Sequence, residues 1–331
     1  MDIIDQFKRM IKESALFKKG DRVIIGVSGG ADSICLLYLL DRFRYDLGIA
    51  LHVVHVNHNL RCGSKLDEHF VIKTCAALKL PLTVKNLEKK FFNKVGSIEA
   101  LAREYRYQAF RAVAKANKIT KIVLGHTQDD LAETILMHLL RGTGFMGMRG
   151  MIPKREMQGV VYIRPLIDIS RKEIEIFLKS EKIKFRNDPS NQSLKFFRNK
   201  IRKQLIPFLQ KGYNENIKAS LAHLSGILAQ DYDFIERQAN KHFERLVTHQ
   251  GSRQRSLSLN PLAKLHPSLQ RMVIRLTIKQ LKGNINQITF QHIQEIADLI
   301  FSRPDQAVVH LPNSLRVTKR KNSLDFSILH S

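Results

Sequence analysis

The first half of this 331-residue sequence alternates short β-branched runs with longer stretches whose apolar residues recur at helical spacing. The runs predict strands at Val23–Val27, Ala50–Val56, Leu82–Leu87, Lys121–Gly125 and Val160–Ile163. The helical stretches between them are Ser33–Arg44, Leu66–Leu78, Ser97–Asn117 and Asp129–Arg141. Strands that alternate with helices predict an α/β fold built on a doubly wound parallel sheet.

The pattern changes in the second half of the chain. Beyond a helical stretch at Leu194–Leu209, Ile217–Val247 and Pro267–Leu281 are predicted to be helices with no strands between them. Alternating residues at Ala307–Leu311 and Leu315–Leu329, joined by a Pro-Asn-Ser turn, predict a small terminal β element. We therefore expect an α/β domain at residues 1–212 and a second, mainly helical domain at 213–331.

The charge balance indicates a polyanionic partner. Lys and Arg number 55 against 30 Asp and Glu, which gives a formal net charge of +25. The excess is not confined to a tail, because residues 1–200 already hold 36 basic and 21 acidic groups. A surface of this kind favours nucleic acid as a partner.

Other classes of protein are disfavoured. The longest uninterrupted apolar stretch, Ile34–Leu40, is far shorter than the ~18 residues that suggest a membrane span, so we expect a soluble, cytoplasmic protein with no membrane partner. Cys35, Cys62 and Cys75 form no CxxC pair and no even set, which predicts reduced thiols.

The strongest local signal is the segment Val23–Ser33, which reads VIIGVSGGADS. A buried strand leads into a glycine turn and then into an apolar helix. Glycines allow close approach of a ligand, and the amides at the helix start can bind phosphate. An acid in such a turn, Asp32, would repel phosphate unless a cation lay between them, so Asp32 is a candidate magnesium ligand.

A second glycine-rich segment, Gly142–Gly147, matches GxGxxG but follows a predicted helix, where a dinucleotide-binding motif would follow a strand. We interpret it as a loop that contacts substrate. The sequence has no GxxxxGK[ST] motif, so it lacks the loop that holds terminal phosphates with a lysine.

Two acids mark the start of the helix that follows His126. Thr127 is a predicted N-cap with Asp130 in the capping-box position, and Asp130 and Glu133 lie three residues apart on one helix face. From the residues alone, two interpretations are equally favoured: the acids complement the helix dipole, worth ~0.3 to 1 kcal/mol, or they bind a cation.

Several motifs in order resemble one known family. SGGADS is similar to the pyrophosphate-binding motif of the N-type ATP pyrophosphatases, the PP-loop superfamily with its adenine nucleotide alpha hydrolase-like fold. Further stretches resemble its tRNA(Ile)-lysidine synthetase branch: His55–Arg61 (HVNHNLR), Glu99–Tyr107, Gly125–Thr134, Arg141–Gly144, Arg164–Leu166 and Asp188–Arg202. The resemblance covers residues 20–210 closely, and the remainder fits the family's accessory domain by length and character.

The resemblance implies an AMP-forming ligase of tRNA modification that makes a carbon–nitrogen bond. Free L-lysine would be joined through its ε-amine to C2 of the wobble cytidine of a CAU-anticodon isoleucine tRNA. The reaction would consume ATP and require bound Mg²⁺. Adenylation of the C2 oxygen would give it a leaving group. The implied partners are this tRNA and lysine, and a homodimer stays open.

The resemblance also implies roles for particular residues. Asp130 and Glu133 match the family's lysine-binding carboxylates, and one of them is expected to accept the proton as attack proceeds, because lysine is protonated at neutral pH. Arg106 and His126 match residues around the ATP phosphates and the reacting base. The set expected to bind ATP and its magnesium comprises Ser28, Gly29, Gly30, Asp32, Ser33, His55, Asn57 and Gly125.

A basic stripe is expected to contact tRNA or ATP phosphates. Lys195, Arg198 and Arg202 are spaced by three and four residues, which places them on one helix face. The alternative is a solvated surface without a ligand.

Two alternative functions remain on the sequence alone. A PP-loop tRNA thiolase would also adenylate a base, but such enzymes usually use a CxxC pair or a persulfide cysteine. A non-catalytic RNA-binding relative would keep the fold, but Asp32, Asp130 and Glu133 favour an enzyme.

Overall fold

The computed structural model describes residues 2–57, 63–87, 98–186 and 196–329. The chain divides into two compact units, Met1–Thr143 with Gly147–Gly226, and Gly144–Met146 with Ile227–Ser331. This division falls inside a long helix, so the functional boundary expected at residues 212 and 213 stays a prediction. None of the helices within the described ranges is long and apolar enough to cross a membrane.

The first unit is built on a mainly parallel sheet. Within the described residues its strands are β1 (Arg22–Gly26), β2 (Ala50–Asn57), β3 (Leu82–Asn86), β4 (Lys121–Leu124), β5 (Lys154–Met157) and β6 (Val160–Ile163). Their order is β3-β2-β1-β4-β6-β5, and only the edge pair β5–β6 is antiparallel. The predicted doubly wound sheet is therefore confirmed.

Helices cover both faces of this sheet. Up to residue 246 the described helices are α1 (Ile3–Glu13), α2 (Ala31–Phe43), α3 (Ser64–Ala77), α4 (Ile98–Ala116), α5 (Gln128–Leu140), α6 (Phe145–Met148), α7 (Arg171–Ser180), α8 (Phe197–Lys200), α9 (Ile206–Gly212) and α10 (Ile217–Leu246). A π-helical turn, Ile201–Leu205, joins α8 to α9.

Alternation along β1 separates two cores. Val23 and Ile25 are buried in a large cluster with residues of α1, α2, α5 and α7. Ile24, between them, points to the opposite face and packs with Phe110 of α4 and Tyr162 of β6. Successive strand residues point to opposite faces, which explains why the consecutive residues Val23–Ile25 are all apolar.

Four described elements up to residue 246 were missed from sequence, and one of them is the short helix α6, which overlaps the segment interpreted as a loop. Helix α1 has buried Ile3 and Phe7 on one face, edge strand β5 pairs with β6, and helix α7 follows the Arg164–Leu166 motif. The predicted helix at Leu194–Leu209 corresponds to α8, the π-helical turn and α9, while its first two residues lie outside the described residues.

The second unit combines helices with a five-stranded antiparallel sheet. Its elements are β7 (Val247–Gln250), β8 (Gln254–Ser258), α11 (Leu259–Ala263), α12 (Pro267–Lys282), α13 (Phe290–Phe301), β9 (Val308–Leu311), β10 (Leu315–Lys319) and β11 (Ser323–Ile328). The strand order is β7-β8-β11-β10-β9. One face of this sheet, with Leu257, Val317 and Phe326, packs in a core with α12 and α13.

The prediction that no strands lie between Val247 and Pro267 was wrong. Strands β7 and β8 lie there and extend the terminal β element from one edge, since β8 pairs with β11. Both strands are short, and Gln254-Arg255-Ser256 gives β8 a polar beginning. β7 pairs with β8, and β8 pairs with β11, a strand distant in sequence, so local apolar periodicity does not reveal either pairing.

Candidate active site

The site lies where the sheet reverses its strand order. After β1 the chain builds β2 and β3 on one side, then returns to place β4 on the other side of β1. Ligands of open α/β sheets bind outside the carboxyl ends of the strands at such a point. A cavity of about 530 Å³ opens there. It is lined by residues of the glycine turn, α4, α5 and α7, and by residues 196–202, which we call the α8 segment.

The glycine turn Ser28–Ser33 is held by its own serines. Ser33 Oγ donates to Gly30 O at 2.9 Å and accepts from Ser28 N at 3.1 Å, while Gly30 N donates to Ser28 Oγ at 3.3 Å. Gly29 has a φ of +90°, which an L side chain rarely adopts. These hydrogen bonds hold the backbone at the start of α2 in a conformation whose amide groups an anion can approach.

Asp32 lies in the first turn of α2 and faces a cation from another element. Arg171 Nη1, at the start of α7, donates to Asp32 Oδ1 at 2.7 Å. Burial, with a smaller contribution from the nearby Asp130 carboxylate, raises the pKa of Asp32 to about 6 despite this ion pair. The ionised carboxylate is thus held at a cost, which a bound cation would relieve.

Gly125 allows β4 to end close to the glycine turn. A Cβ atom at this position would lie 2.9 Å from Asp32 O, a backbone atom that cannot swing away. The absence of a side chain at Gly125 therefore sets how closely the end of β4 approaches the start of α2.

The capping box predicted for α5 is confirmed. Thr127 Oγ1 accepts from Asp130 N at 3.4 Å, and Asp130 Oδ2 accepts from Thr127 N at 3.0 Å. These contacts use one oxygen of Asp130 and leave Oδ1 directed elsewhere. Asp130 lines the cavity, while Glu133, one turn further on, is only 1% exposed.

Two arginines from the α8 segment neutralise this acidic pair. Arg198 donates through Nε to Glu133 Oε2 at 2.7 Å and through Nη2 to Asp130 Oδ1 at 2.8 Å. Arg202 donates through Nε to Glu133 Oε1 at 2.5 Å. Burial opposes ionisation of Asp130, but Arg198, the Thr127 amide and Arg202 together outweigh it and lower its pKa. The pair is therefore a cation-binding group in this structure.

His126 follows β4 and lines the same cavity. Burial lowers the pKa of His126 to about 3; Arg164, Arg103 and Arg198 act in the same direction, against the opposing effect of Asp130. Its Nδ1 atom is buried and has no hydrogen-bond partner within the described part of the chain. A neutral imidazole is the form that such surroundings favour.

The lining of the cavity is mostly cationic and has one apolar end. Six arginines line the cavity against three aspartates: Arg103, Arg106, Arg171, Arg186, Arg198 and Arg202 against Asp32, Asp67 and Asp130. The apolar end is formed by Val54, Val56, Phe110 and Leu124. An anionic ligand with a flat apolar part fits both features, as a nucleotide does.

Most of the predicted site residues meet in this cavity, and two do not. Ser28, Gly30, Asp32, Ser33, Arg106, Gly125, His126 and Asp130 line it, with Gly29 inside the turn and Glu133 behind Asp130. His55 is buried, and its Nδ1 pairs with Val27 O at 2.8 Å. Asn57 donates to Glu68 Oε2 at 2.7 Å. Neither His55 nor Asn57 is among the described cavity-lining residues, and Lys195 lies outside the described part of the chain.

Three arginines of the cavity were not proposed as site residues from sequence: Arg103, Arg171 and Arg186. Arg171 pairs with Asp32, and Arg186 donates through Nε to Asp67 Oδ1 at 3.0 Å and through its backbone N to Gly29 O at 2.9 Å. One signal was available for Arg171: the segment that follows β6 begins at the carboxyl edge of the sheet, and Ser170 with Glu173 forms a capping box. Arg186 carries no comparable local signal.

Comparison with known proteins places the chain in a family. A PP-loop domain family matches residues 1–209. The tRNA(Ile)-lysidine synthase of Clostridioides difficile is 32% identical over 325 residues, which cover 97% of this chain and 70% of that protein. This chain belongs to the tRNA(Ile)-lysidine synthase family. The tRNA(Ile)-lysidine synthase of Geobacter sulfurreducens is 34% identical over 98% of this chain and 69% of its own length.

The second unit also has a family match. The substrate-binding domain of the tRNA(Ile)-lysidine synthase family, described as the TilS substrate binding domain, matches residues 257–321. Among solved structures, the U34-tRNA thiolase NcsA from Methanococcus maripaludis aligns with a TM-score of 0.58, at 20% identity, over 68% of this chain and 78% of that chain. This likeness concerns the fold alone.

Proposed function

We propose that this member of the tRNA(Ile)-lysidine synthase family ligates free L-lysine to the wobble cytidine of a CAU-anticodon isoleucine tRNA. The product is lysidine, and ATP is converted to AMP and pyrophosphate. The observation that carries the proposal is one cavity in which a phosphate-binding turn, Ser28–Ser33, lies beside a carboxylate pair that already binds side-chain cations. A phosphate-binding turn next to a carboxylate pair suits a nucleotide and an amine.

The proposed chemistry has two displacements. The C2 oxygen of the cytidine attacks the α-phosphorus of ATP, and pyrophosphate leaves. The lysine Nε then attacks C2, the C2–oxygen bond breaks and AMP leaves with that oxygen. The C2 carbonyl of cytidine has no leaving group of its own. The first step supplies one, because AMP is a good leaving group.

The residues of the turn and its neighbours would bind ATP. Amides at the start of α2, with the Ser28 and Ser33 hydroxyls, would bind the phosphates, and Arg171 and Arg186 would add positive charge. The aromatic and aliphatic end with Phe110 and Leu124 suits a base.

Asp32 fits the proposed magnesium site. No group of three or more His, Cys, Asp or Glu side chains in the described ranges could hold a metal ion, so a single carboxylate would be supplemented by phosphate oxygens and water, as Mg²⁺ commonly is. When bound, Mg²⁺ would neutralise charge on the phosphates. Asp32 would then exchange Arg171 for the ion.

Asp130 and Glu133 would hold the lysine. An ammonium group offers three N–H donors to carboxylate oxygens, and it would take the place of a guanidinium group. The carboxylates must also accept a proton as the amine attacks, since the reference pKa of lysine is ~10.4. Neutral His126, whose Nδ1 has no partner in the described residues, can receive a hydrogen bond from the reacting groups.

One assay tests the proposal directly. The protein is incubated with ATP, labelled lysine and an isoleucine tRNA bearing a CAU anticodon, and the RNA is then deacylated in alkali. Label that stays on the RNA, with one pyrophosphate released per lysine joined, supports the proposal. Label lost in alkali, sulfur incorporation without lysine, or RNA binding without pyrophosphate release contradicts it.

A further inference from the structure

An exposed aromatic pair lies outside the site described above. Phe208 of α9 and Tyr213, just after that helix, are 60% and 74% exposed. Their ring centroids are 5.5 Å apart, and the ring planes cross at 56°. Two neighbouring rings present a contiguous apolar surface to water, which is more than the scattered single residues found on any protein surface.

The segment that carries these rings is basic. From Phe196 to Asn214 the sequence holds no Asp or Glu, and it holds Arg198, Lys200, Arg202, Lys203 and Lys211. The two arginines point to the acidic pair of α5, while the three lysines are exposed. Exposed rings interleaved with lysines favour a ligand that has both flat faces and negative charge.

The same segment begins at the rim of the cavity. Phe196, Arg198, Asn199 and Arg202 line the cavity, and Phe208 and Tyr213 follow one to three helical turns later. Phe197, 42% exposed, adds a third ring, with the Arg141 guanidinium 5.6 Å from its centroid. Phe197, Phe208, Tyr213 and the three exposed lysines, which we together call the α9 platform, therefore lie along one chain segment that leads away from the cavity.

We propose that the α9 platform binds unpaired RNA nucleotides that flank the nucleotide being modified. The inference rests on the proposed function, in which a cytidine enters the cavity. A base can enter only after it leaves the stack of its loop, so its neighbours lose their stacking partners. Aromatic side chains replace such stacking, and lysines bind the phosphates between the bases.

Charge favours RNA over the other occupants of such a surface. A second copy of this chain would bring the same three lysines and a net charge of +25, which opposes self-association through this face. An acidic protein would satisfy the lysines but offers few flat faces. A nucleotide chain satisfies both groups at the spacing of consecutive residues.

The test uses an isoleucine anticodon stem-loop RNA with 2-aminopurine next to the wobble cytidine. Stacking on a protein ring quenches the fluorescence of this base. We expect quenching by the native chain and its loss in the double variant Phe208→Leu, Tyr213→Leu. The dissociation constant for the RNA should rise about tenfold, the value of roughly one stacked base. The KM for ATP should stay unchanged.

Tyr45→Leu is the matched control. Tyr45 is 79% exposed and lies 4.8 Å from the Arg44 guanidinium, so it is also an aromatic beside a cation. It follows the end of α2, near the amino ends of the parallel strands, whereas the cavity lies at their carboxyl ends. This variant should quench and bind as the native chain does. Phe208→Tyr, which keeps a ring, should retain binding.

Each remaining outcome decides the matter. Equal quenching and affinity in the double variant would overturn the platform, even if lysine is joined to tRNA normally. A change in sedimentation without a change in RNA affinity would overturn it and indicate an interface between copies. Failure of the native chain to join lysine would contradict the proposed function, while quenching of the stem-loop would still test the platform separately.

Discussion

Arg198 donates through Nε to Glu133 Oε2 at 2.7 Å, against a carboxylate that is 1% exposed. The guanidinium therefore holds the position where the proposed function requires a lysine ammonium. An incoming amine must compete with a cation of the chain itself. The arginines keep the buried acids charged until that exchange, because an unpaired buried carboxylate would tend to become protonated.

Replacement of the buried acid tests this exchange. Glu133→Gln leaves Arg198 and Arg202 without the carboxylate they share, so the free energy of unfolding should fall by about 2 kcal/mol, less than for a fully buried pair because Arg202 is partly exposed. Urea unfolding measures the change. Glu175→Gln breaks an exposed ion pair with Arg171 and should cost under about 0.5 kcal/mol. Equal losses in both variants would contradict this role of Glu133.

Asp130→Asn should separate lysine binding from ATP binding. The substitution removes one charge-assisted contact to the amine, so the KM for lysine should rise about 10- to 100-fold while the KM for ATP changes little. Steady-state pyrophosphate release measures both constants. Asp129→Asn is the control, because Asp129 pairs with Lys218 and is not among the described cavity-lining residues. An equal loss for lysine and ATP would exclude the assignment.

Asp32→Asn should stabilise the nucleotide-free protein in a pH-dependent way. The pKa of Asp32 is raised from 3.8 to about 6, so the stability that its protonated form contributes is complete below about pH 4 and is lost as pH rises through about 6. At pH 8 the variant should gain about 1–3 kcal/mol, and at pH 4 it should gain nothing. Thermal unfolding at the two pH values measures the difference. A gain of the same size at both would refute the raised pKa.

Gly125→Ala tests the close approach of β4 and α2. The added methyl group would lie 2.9 Å from Asp32 O, and relief requires a backbone shift, so we expect a loss of about 1–3 kcal/mol and a higher KM for ATP. Gly212→Ala, where nothing lies within 4 Å of the added atom, should leave both unchanged or slightly improve stability. If the two variants behave alike, the contact with Asp32 does not limit the site.

Local patterns predicted the sheet and the glycine turn well. Strand β6 was placed at Val160–Ile163 as observed, and the boundaries of α2 and β1 were placed to within two residues. These elements have continuous apolar runs bounded by turn residues, so short-range information suffices. Helix α7 and strands β7 and β8 lack such runs, because polar residues interrupt them and distant partners stabilise them.

Part of the composition of the site could be predicted, but the pairing of its side chains could not. The sequence identified Asp32, Asp130, Glu133, Arg198 and Arg202 as candidates, yet expected the arginines to face phosphates. In the structure Arg198 reaches Glu133 across 65 residues, and Arg171 reaches Asp32 across 139. Such contacts depend on how two helices approach each other, and helical spacing within one of them carries no information about it.

The π-helical turn Ile201–Leu205 carries Arg202 and separates Arg198 from the rings of Phe208 and Tyr213. Such a turn accommodates one residue more than an α-helical turn, and it occurs frequently at functional sites. Loss of one residue from it would rotate everything beyond by about 100° relative to what precedes it. The number of residues in this turn therefore sets how the exposed rings are rotated about the helix axis relative to the residues that line the cavity. Natural variants that shorten or lengthen the turn should also differ at the cavity-lining residues and at the rings.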